Sequence, residues 1–143
     1  MFTKREKRII NNLFDMASAT KTVANARVAA GLVYKGELIA VGANKMKTHP
    51  FQDRFSKNDE SPYLHAENDC ILHSLREVNE EVLTKSKLFV IRVKKDGPRG
   101  NDIMGLAKPC DGCMKAILHY NIPHVYYSTD EQDIAYVMEK DNV

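Results

Sequence analysis

Two short stretches of the sequence, "HAEND" at 65–69 and "KPCDGC" at 108–113, hold residue types that bind transition metals. His65, Cys110 and Cys113 offer one imidazole and two sulfurs, a set that suits zinc best. The residue pattern places His65 at the start of one helix and the two cysteines at the start of another. Because a helix N-terminus stabilises a thiolate over a thiol, these positions favour metal binding.

The fourth zinc position distinguishes a structural from a catalytic site, because a structural site normally has a fourth protein ligand. Cys70 follows His65 by five residues, which places it about 140° around a helix of about 3.6 residues per turn. We therefore predict that Cys70 is a core residue. The fourth position is then open to water, as in catalytic zinc sites. Glu67 follows His65 by two residues and can take a proton from such a water and deliver it elsewhere.

The sequence contains both halves of the H-x-E and P-C-x-x-C signature of zinc deaminases. The matching residues are His65, Ala66, Glu67, Pro109, Cys110 and Cys113. The chain therefore resembles the cytidine and deoxycytidylate deaminase superfamily, which also includes tRNA adenosine, guanine and polynucleotide cytosine deaminases. The resemblance implies a three-layer α/β/α fold with a five-stranded mixed sheet, and zinc held between two helix N-termini.

The resemblance also implies roles for residues around the zinc. Asn44, at the end of the second strand, is expected to contact the substrate sugar, and the backbone N–H of Ala66 to bind the pyrimidine carbonyl. One aromatic residue of the strand "HVYYST" is expected to border the pocket, and alternation along the strand allows only one of Tyr126 and Tyr127 to face it. Arg54 is the candidate to hold a 5′-phosphate through its bidentate fork, with a solvated surface charge as the alternative.

Apolar periodicity predicts the elements that must position these residues. The predicted helices cover 4–20, with Thr3 as its cap, 65–77 and 110–120. The predicted strands cover 27–34, 37–44, 87–93, 124–129 and 134–139. Lys35 and Gly36 are predicted to form a two-residue hairpin turn between the first two strands. The apolar centre of 87–93 is typical of a strand buried on both faces.

The connections between these elements give two further expectations. The segments 45–64 and 96–108 carry proline or glycine and are predicted to be loops. The link before the last strand is far shorter than the dozen or so residues that a parallel return needs, so this strand must be antiparallel to its neighbour. That ending resembles free-nucleoside deaminases, whereas deoxycytidylate and tRNA deaminases usually end with a parallel strand. The phosphate state of the substrate therefore stays open.

Composition favours one globular domain over residues 1–143, since 43% of residues are hydrophobic and 28% charged. The net charge of +2 gives little counterion-release energy for binding a polynucleotide. No apolar run approaches the roughly 20 residues of a membrane span, and the start "MFTKREKRII" lacks the apolar core of a signal peptide. We expect a cytoplasmic protein without a membrane partner, whose three cysteines stay reduced.

The predicted function is zinc-dependent hydrolytic deamination of a cytosine nucleoside or nucleotide, such as dCMP or deoxycytidine, to the uracil form with release of ammonia. The alternatives are a tRNA adenosine or other nucleic-acid deaminase, a guanine or other base deaminase, and a catalytically inactive zinc-binding module. Glu67 argues against the inactive module, because a structural site needs no carboxylate there. The resemblance implies a homo-oligomer, since a neighbouring chain often completes the pocket. A second zinc near His49 and allosteric control by a nucleotide stay open.

Overall fold

The computed structural model describes residues 2–20, 27–45, 64–98 and 100–138. The helices in these ranges are α1 (Lys4–Ala19), α2 (Ala66–Glu77), α3 (Glu80–Leu83) and α4 (Asp111–His119). The strands are β1 (Arg27–Tyr34), β2 (Glu37–Ala43), β3 (Lys87–Lys95), β4 (Asp102–Gly105), β5 (His124–Ser128) and β6 (Ile134–Met138). The three predicted helices and five predicted strands are confirmed. None of the helices in this part of the chain combines the length and apolar character that crossing a membrane takes.

One mixed sheet forms the middle layer, with strand order β2-β1-β3-β5-β6 and β4 paired with β3. β1 runs antiparallel to β2 and β3, while β3 and β5 are parallel. The predicted hairpin turn between β1 and β2 is confirmed, with φ of 52° at Lys35 and 80° at Gly36. Positive φ at both central residues is what a type I′ turn requires. The hairpin register places Ala43, the last residue of β2, opposite Ala29.

The predicted loop over 96–108 is wrong in part, because β4 forms there and pairs antiparallel with the end of β3. Two cations also contact the first residue of β4: the guanidinium of Arg27 and the ammonium of Lys95 lie 3.1 and 3.0 Å from the carboxylate of Asp102. A strand of four residues is too short for its periodicity to be recognised in the sequence. Its pairing with β3 and its contact with Arg27 involve other segments of the chain, which sequence propensity does not report.

The last strand has the direction that its short connection requires. β6 runs antiparallel to β5, with Ile134 opposite Ser128 and Met138 opposite His124. The prediction of an antiparallel last strand is therefore confirmed.

Helices cover both faces of the sheet, which gives the three-layer α/β/α arrangement expected from the sequence. Leu13 of α1 packs with Phe89 of β3 on one face. Ile71 of α2 and Ile117 of α4 pack with Leu88 of β3 on the other face. Successive residues of β3 thus serve two separate cores, and this strand is buried on both faces as predicted.

The start of α1 shows how local sequence and tertiary contacts cooperate. Thr3 Oγ1 accepts the N–H of Glu6 at 3.0 Å, and the Glu6 carboxylate accepts the N–H of Thr3 at 3.1 Å, which completes a capping box. Lys87 of β3 binds the same carboxylate at 2.8 Å. Burial by itself raises the pKa of Glu6, but the hydrogen bonds from Lys87 and Thr3 lower it below its usual value. The predicted Thr3 cap is confirmed.

Candidate active site

The N-termini of α2 and α4 bring three metal-binding side chains together on one face of the sheet. His65 is the N-cap residue of α2 and Cys110 that of α4, and neither side chain hydrogen-bonds to the N–H groups of its own helix start. The Nδ1 atom of His65 lies 3.2 Å from Sγ of Cys113 and 3.6 Å from Sγ of Cys110. All three donor atoms lie within 4.8 Å of one another, so these residues are positioned to bind a metal ion.

The donor set and its spacing fit zinc. Tetrahedral zinc with bonds of about 2.3 Å to sulfur and about 2.0 Å to nitrogen places its ligands about 3.5–3.8 Å apart, close to the observed distances of 3.2 and 3.6 Å. Cys70 does not join the group: its buried thiol donates to the carbonyl oxygen of Ala40 at 3.5 Å, and burial raises its pKa. The prediction that Cys70 is a core residue is confirmed.

The two sulfurs of the group differ in pKa. The side chain of Cys113 donates a hydrogen bond to Cys110, which lowers the pKa of Cys110 to about 3. The same bond, together with burial, raises the pKa of Cys113 well above its usual value. Because a metal ion is bound by thiolates, metal binding at this pair releases the protons that the sulfurs carry.

Glu67 is a buried carboxyl group beside the metal-binding residues. It lies in the first turn of α2 with 6% of its surface exposed. Burial raises its pKa above the usual value, although the charge of His65 and a hydrogen bond with the Cys113 side chain oppose the shift in part. A carboxyl group with a raised pKa beside a metal ligand holds a proton more readily than a free one and is suited to carrying protons.

The end of β2 lies against the first turn of α2, and a buried carboxylate joins the two. Asp69 accepts the backbone N–H of Ala43 at 3.1 Å and the ammonium of Lys45 at 3.0 Å. Nε2 of His73 lies 3.5 Å from the same carboxylate. Sequence reasoning missed Asp69. Its spacing of four residues from His65, which puts both on one side of a helix, is the signal that could have drawn attention to it.

Asn44 follows the last residue of β2, and Ala66 is the first residue of α2. The side-chain oxygen of Asn44 accepts the N–H of Val28 at 2.9 Å, and the N–H of Asn44 donates to the carbonyl oxygen of Val28 at 3.3 Å. These bonds fix Asn44 at the end of the hairpin. Ala66 is buried at the start of α2. Their contacts with a substrate stay predictions.

The structure separates the two tyrosines that the sequence left as alternatives. Tyr126 stacks on Phe89 with ring centroids 4.9 Å apart and packs in the core beneath α1. Tyr127 packs against the core beneath α2 and α4, whose first turns carry the metal-binding residues. Tyr126 therefore lies on the opposite face of the sheet from the metal-binding residues, and Tyr127 is the remaining candidate. Its contact with a substrate stays a prediction. Arg54 and His49 lie outside the described residues.

Fold and site together define a zinc deaminase: a three-layer α/β/α domain with one histidine, two cysteines and a buried glutamate at two helix starts. The family model for the cytidine and deoxycytidylate deaminase zinc-binding region matches residues 3–129. The chain belongs to this family, and it is a zinc-dependent hydrolase of the deaminase class.

Solved structures show the same fold at low sequence identity. The cytidine deaminase from Burkholderia pseudomallei matches with a TM-score of 0.65 and 16% identity, covering 98% of this chain and 95% of that one. The dCMP deaminase from the cyanophage S-TIM5 in apo form matches with a TM-score of 0.58 and 19% identity, covering 90% and 86%. A bifunctional deaminase and reductase from Thermotoga maritima matches at 0.53 and 17%, covering 88% of this chain but only 30% of that one. No curated protein sequence matches the chain.

Proposed function

We propose that this protein deaminates a cytosine nucleoside or nucleotide, such as deoxycytidine or dCMP, to the uracil form with release of ammonia. The observation that carries the proposal is Glu67, a carboxyl group with 6% of its surface exposed and in hydrogen-bond contact with a metal-binding cysteine. Burying a carboxyl group is costly, and a metal site that only stabilised the fold would gain nothing from it. A perturbed carboxyl group next to a metal site is typical of a catalytic centre.

Glu67 moves the protons of the reaction. Zinc held by His65, Cys110 and Cys113 would supply a Lewis acid that lowers the pKa of the attacking water. Glu67 accepts a proton from that water and gives it to the ring nitrogen beside the amino-bearing carbon. It transfers the second water proton to the amino group, which leaves as ammonia while the water oxygen remains on the ring as the carbonyl. One water is consumed for each ammonia released.

The groups that orient the substrate come from three different elements. In our proposal Asn44 at the end of β2 contacts the sugar, the N–H of Ala66 binds the pyrimidine carbonyl, and Tyr127 of β5 borders the pocket. The bonds from Asn44 to Val28 support this assignment, because they hold the amide in one place before a substrate arrives. Such preorganisation lowers the entropic cost of binding.

Two observations favour a small substrate over a polynucleotide. The net charge of +2 offers little electrostatic attraction for a phosphate backbone. The antiparallel pairing of β6 with β5 is also the ending that the resemblance associates with free-nucleoside deaminases. If the substrate is a nucleotide, Arg54 is the proposed contact for its 5′-phosphate, and Arg54→Ala should then lower activity on the monophosphate but not on the nucleoside.

A screen for ammonia release over free bases, nucleosides, nucleotides and short oligonucleotides tests the proposal. We expect the highest kcat/KM on a cytosine nucleoside or mononucleotide. Faster turnover of guanine, or of a cytosine- or adenosine-containing oligonucleotide, would assign the protein to another branch of the family. A protein that binds zinc but releases ammonia from none of these compounds would be a binding module.

Glu67→Gln is the matching test of the mechanism. We expect the variant to keep its zinc and its melting temperature and to lose about 10²–10⁴-fold in kcat, since an amide cannot carry protons. Glu77→Gln, at the exposed end of the same helix, is the control and should be fully active. Loss of zinc in Glu67→Gln would mean that Glu67 is a ligand, and the assigned role would be wrong.

We also propose that the active form is a homo-oligomer, in which a neighbouring chain completes the pocket. Light scattering at micromolar concentration, with and without substrate, tests this assembly. A fully active monomer would contradict it.

A further inference from the structure

Asp69 is a buried carboxylate outside the metal-binding group, and its contacts reach both α2 and the end of β2. Its carboxylate, with a side-chain exposure of 4%, accepts the N–H of Ala43 at 3.1 Å and the ammonium of Lys45 at 3.0 Å. These two residues flank Asn44 on either side. The backbone N–H of Asp69 donates to the carbonyl oxygen of His65 at 2.9 Å, so the same residue also closes the first turn of α2.

The contacts place Asp69 between two parts of the site that come from distant segments of the chain. Its backbone N–H binds His65, a metal-binding residue, and its carboxylate binds the residues around Asn44 at the end of β2. A second bond joins the same segments, since the N–H of Lys45 donates to the carbonyl oxygen of Leu64 at 3.0 Å. Hydrogen bonds to a carboxylate from a cation and a backbone N–H are among the stronger ones in proteins. The contacts of Asp69 therefore join the helix turn that His65 begins to the residues on either side of Asn44.

We propose that Asp69 is a positioning residue that holds Asn44 at the distance from the metal site that the substrate sugar needs. This inference rests on the proposed function, because it takes Asn44 as a substrate contact. The supporting observation is that Asp69 binds the residues before and after Asn44 together with the helix turn that His65 begins. Residues that orient a site in this way typically contribute about 10–100-fold to activity.

The experiment is a double-mutant cycle with Asp69→Ala and Asn44→Ala, run on whichever substrate the ammonia screen selects. Asp69→Ala should retain its zinc and lose about 10–100-fold in kcat/KM. In the Asn44→Ala background the same change should cost little more, because both changes remove one function. Asp69→Asn, which keeps an oxygen for the Ala43 N–H, should recover part of the loss. Glu6→Ala removes another buried carboxylate bound to a lysine, but on the far face of the sheet, and should leave kcat/KM unchanged.

Hydrogen exchange supplies a readout that does not depend on turnover. In Asp69→Ala the amides at the end of β2 should exchange faster, while those in the rest of α2 keep their protection. The inference is wrong if Asp69→Ala keeps the wild-type kcat/KM and the wild-type protection of the β2 amides. It is also wrong if the fold-loss in kcat/KM of the double variant equals the product of the two single losses, or if Asp69→Ala loses its zinc. If the proposed function is wrong, the wild-type protein will prefer another substrate class or deaminate none of the compounds. Hydrogen exchange would still test whether Asp69 holds the end of β2 in that case.

Discussion

Gly42 determines how closely β2 approaches the helix that carries His65 and Glu67. A Cβ atom built at Gly42 would lie 2.3 Å from the backbone N of Cys70, 2.6 Å from the carbonyl oxygen of Ala66 and 2.8 Å from Cα of Cys70. All three atoms belong to the backbone of α2, so no side chain can rotate away to make room. Gly42→Ala must therefore move the helix or the end of the strand.

The displacement can be worked out from these distances. Ordinary contact begins at 3.4 Å, so β2 and α2 must separate by about 1 Å at Gly42. Moving the helix displaces His65 from the two sulfurs on α4, and moving the strand displaces Asn44. A misplacement of about 1 Å can cost about 10²-fold in rate, and overpacking typically lowers the free energy of unfolding by about 1–3 kcal/mol. We expect Gly42→Ala to show both losses, together with weaker zinc binding.

Gly31→Ala is the matched control, since it adds the same methyl group on the neighbouring strand β1. Its Cβ would meet Cδ1 of Leu38 at 2.7 Å and the methyl groups of Leu13 at 3.1 and 3.2 Å. These are the ends of side chains and not backbone atoms: Leu38 is 36% exposed and can move aside, while the buried Leu13 has to shift by only a few tenths of an ångström. Zinc titration with a chelator, steady-state kinetics and urea unfolding on both variants form the assay. The reasoning is refuted if Gly42→Ala keeps wild-type zinc affinity and kcat/KM, or if Gly31→Ala loses as much of either.

Three further predictions concern zinc, the pocket and pH. Wild-type protein should carry about one zinc per chain; metal analysis should show strong zinc loss in Cys113→Ala and none in Cys70→Ser, and the reverse would mean the wrong sulfur was chosen. Tyr127→Ala should lower kcat/KM, whereas Tyr126→Ala should lower only the melting temperature; equal kinetic effects would contradict the assignment of faces. Because the pKa of Glu6 is lowered in the fold, its contribution to stability is present above its usual pKa and lost as pH falls through the folded-state value. The free energy of unfolding of Glu6→Gln, measured with urea, should therefore fall less steeply than that of the wild type as the pH is lowered. Equal slopes for the two proteins would contradict this prediction.

The sequence predicted the metal-binding group because the information is local to each helix start. Cys110 and Cys113 lie within one turn, and His65 begins the other helix with Glu67 close behind it. Helical geometry alone also excluded Cys70 correctly. The hairpin at Lys35 and Gly36 was predictable for the same reason, since the turn conformation depends on those residues themselves.

Features that depend on contacts between distant segments could not be predicted. Nothing near Asp69 in the sequence indicates that Ala43 and Lys45 lie against it, so its role emerged only from the fold. Alternation along β5 places Tyr126 and Tyr127 on opposite faces of the sheet, but choosing the pocket residue required knowing which face α1 covers. β4 was not predicted for a related reason: Asp102, its first residue, contacts Arg27 of β1 and Lys95 of β3, and its sequence does not indicate these partners.

The chemistry and the substrate choice of this site depend on different parts of the chain. In our proposal, proton transfer by Glu67 and the Lewis acid that the metal-binding residues would hold serve any amino-bearing ring, so the starts of α2 and α4 would fix the reaction type. The sugar is contacted, in our proposal, from the end of β2. Substitutions there should change substrate preference without removing zinc, provided that the spacing to α2 is kept. Asp69 and Gly42 set that spacing, the first by hydrogen bonds and the second by the absence of a side chain, so substrate choice is linked to catalysis through these two residues.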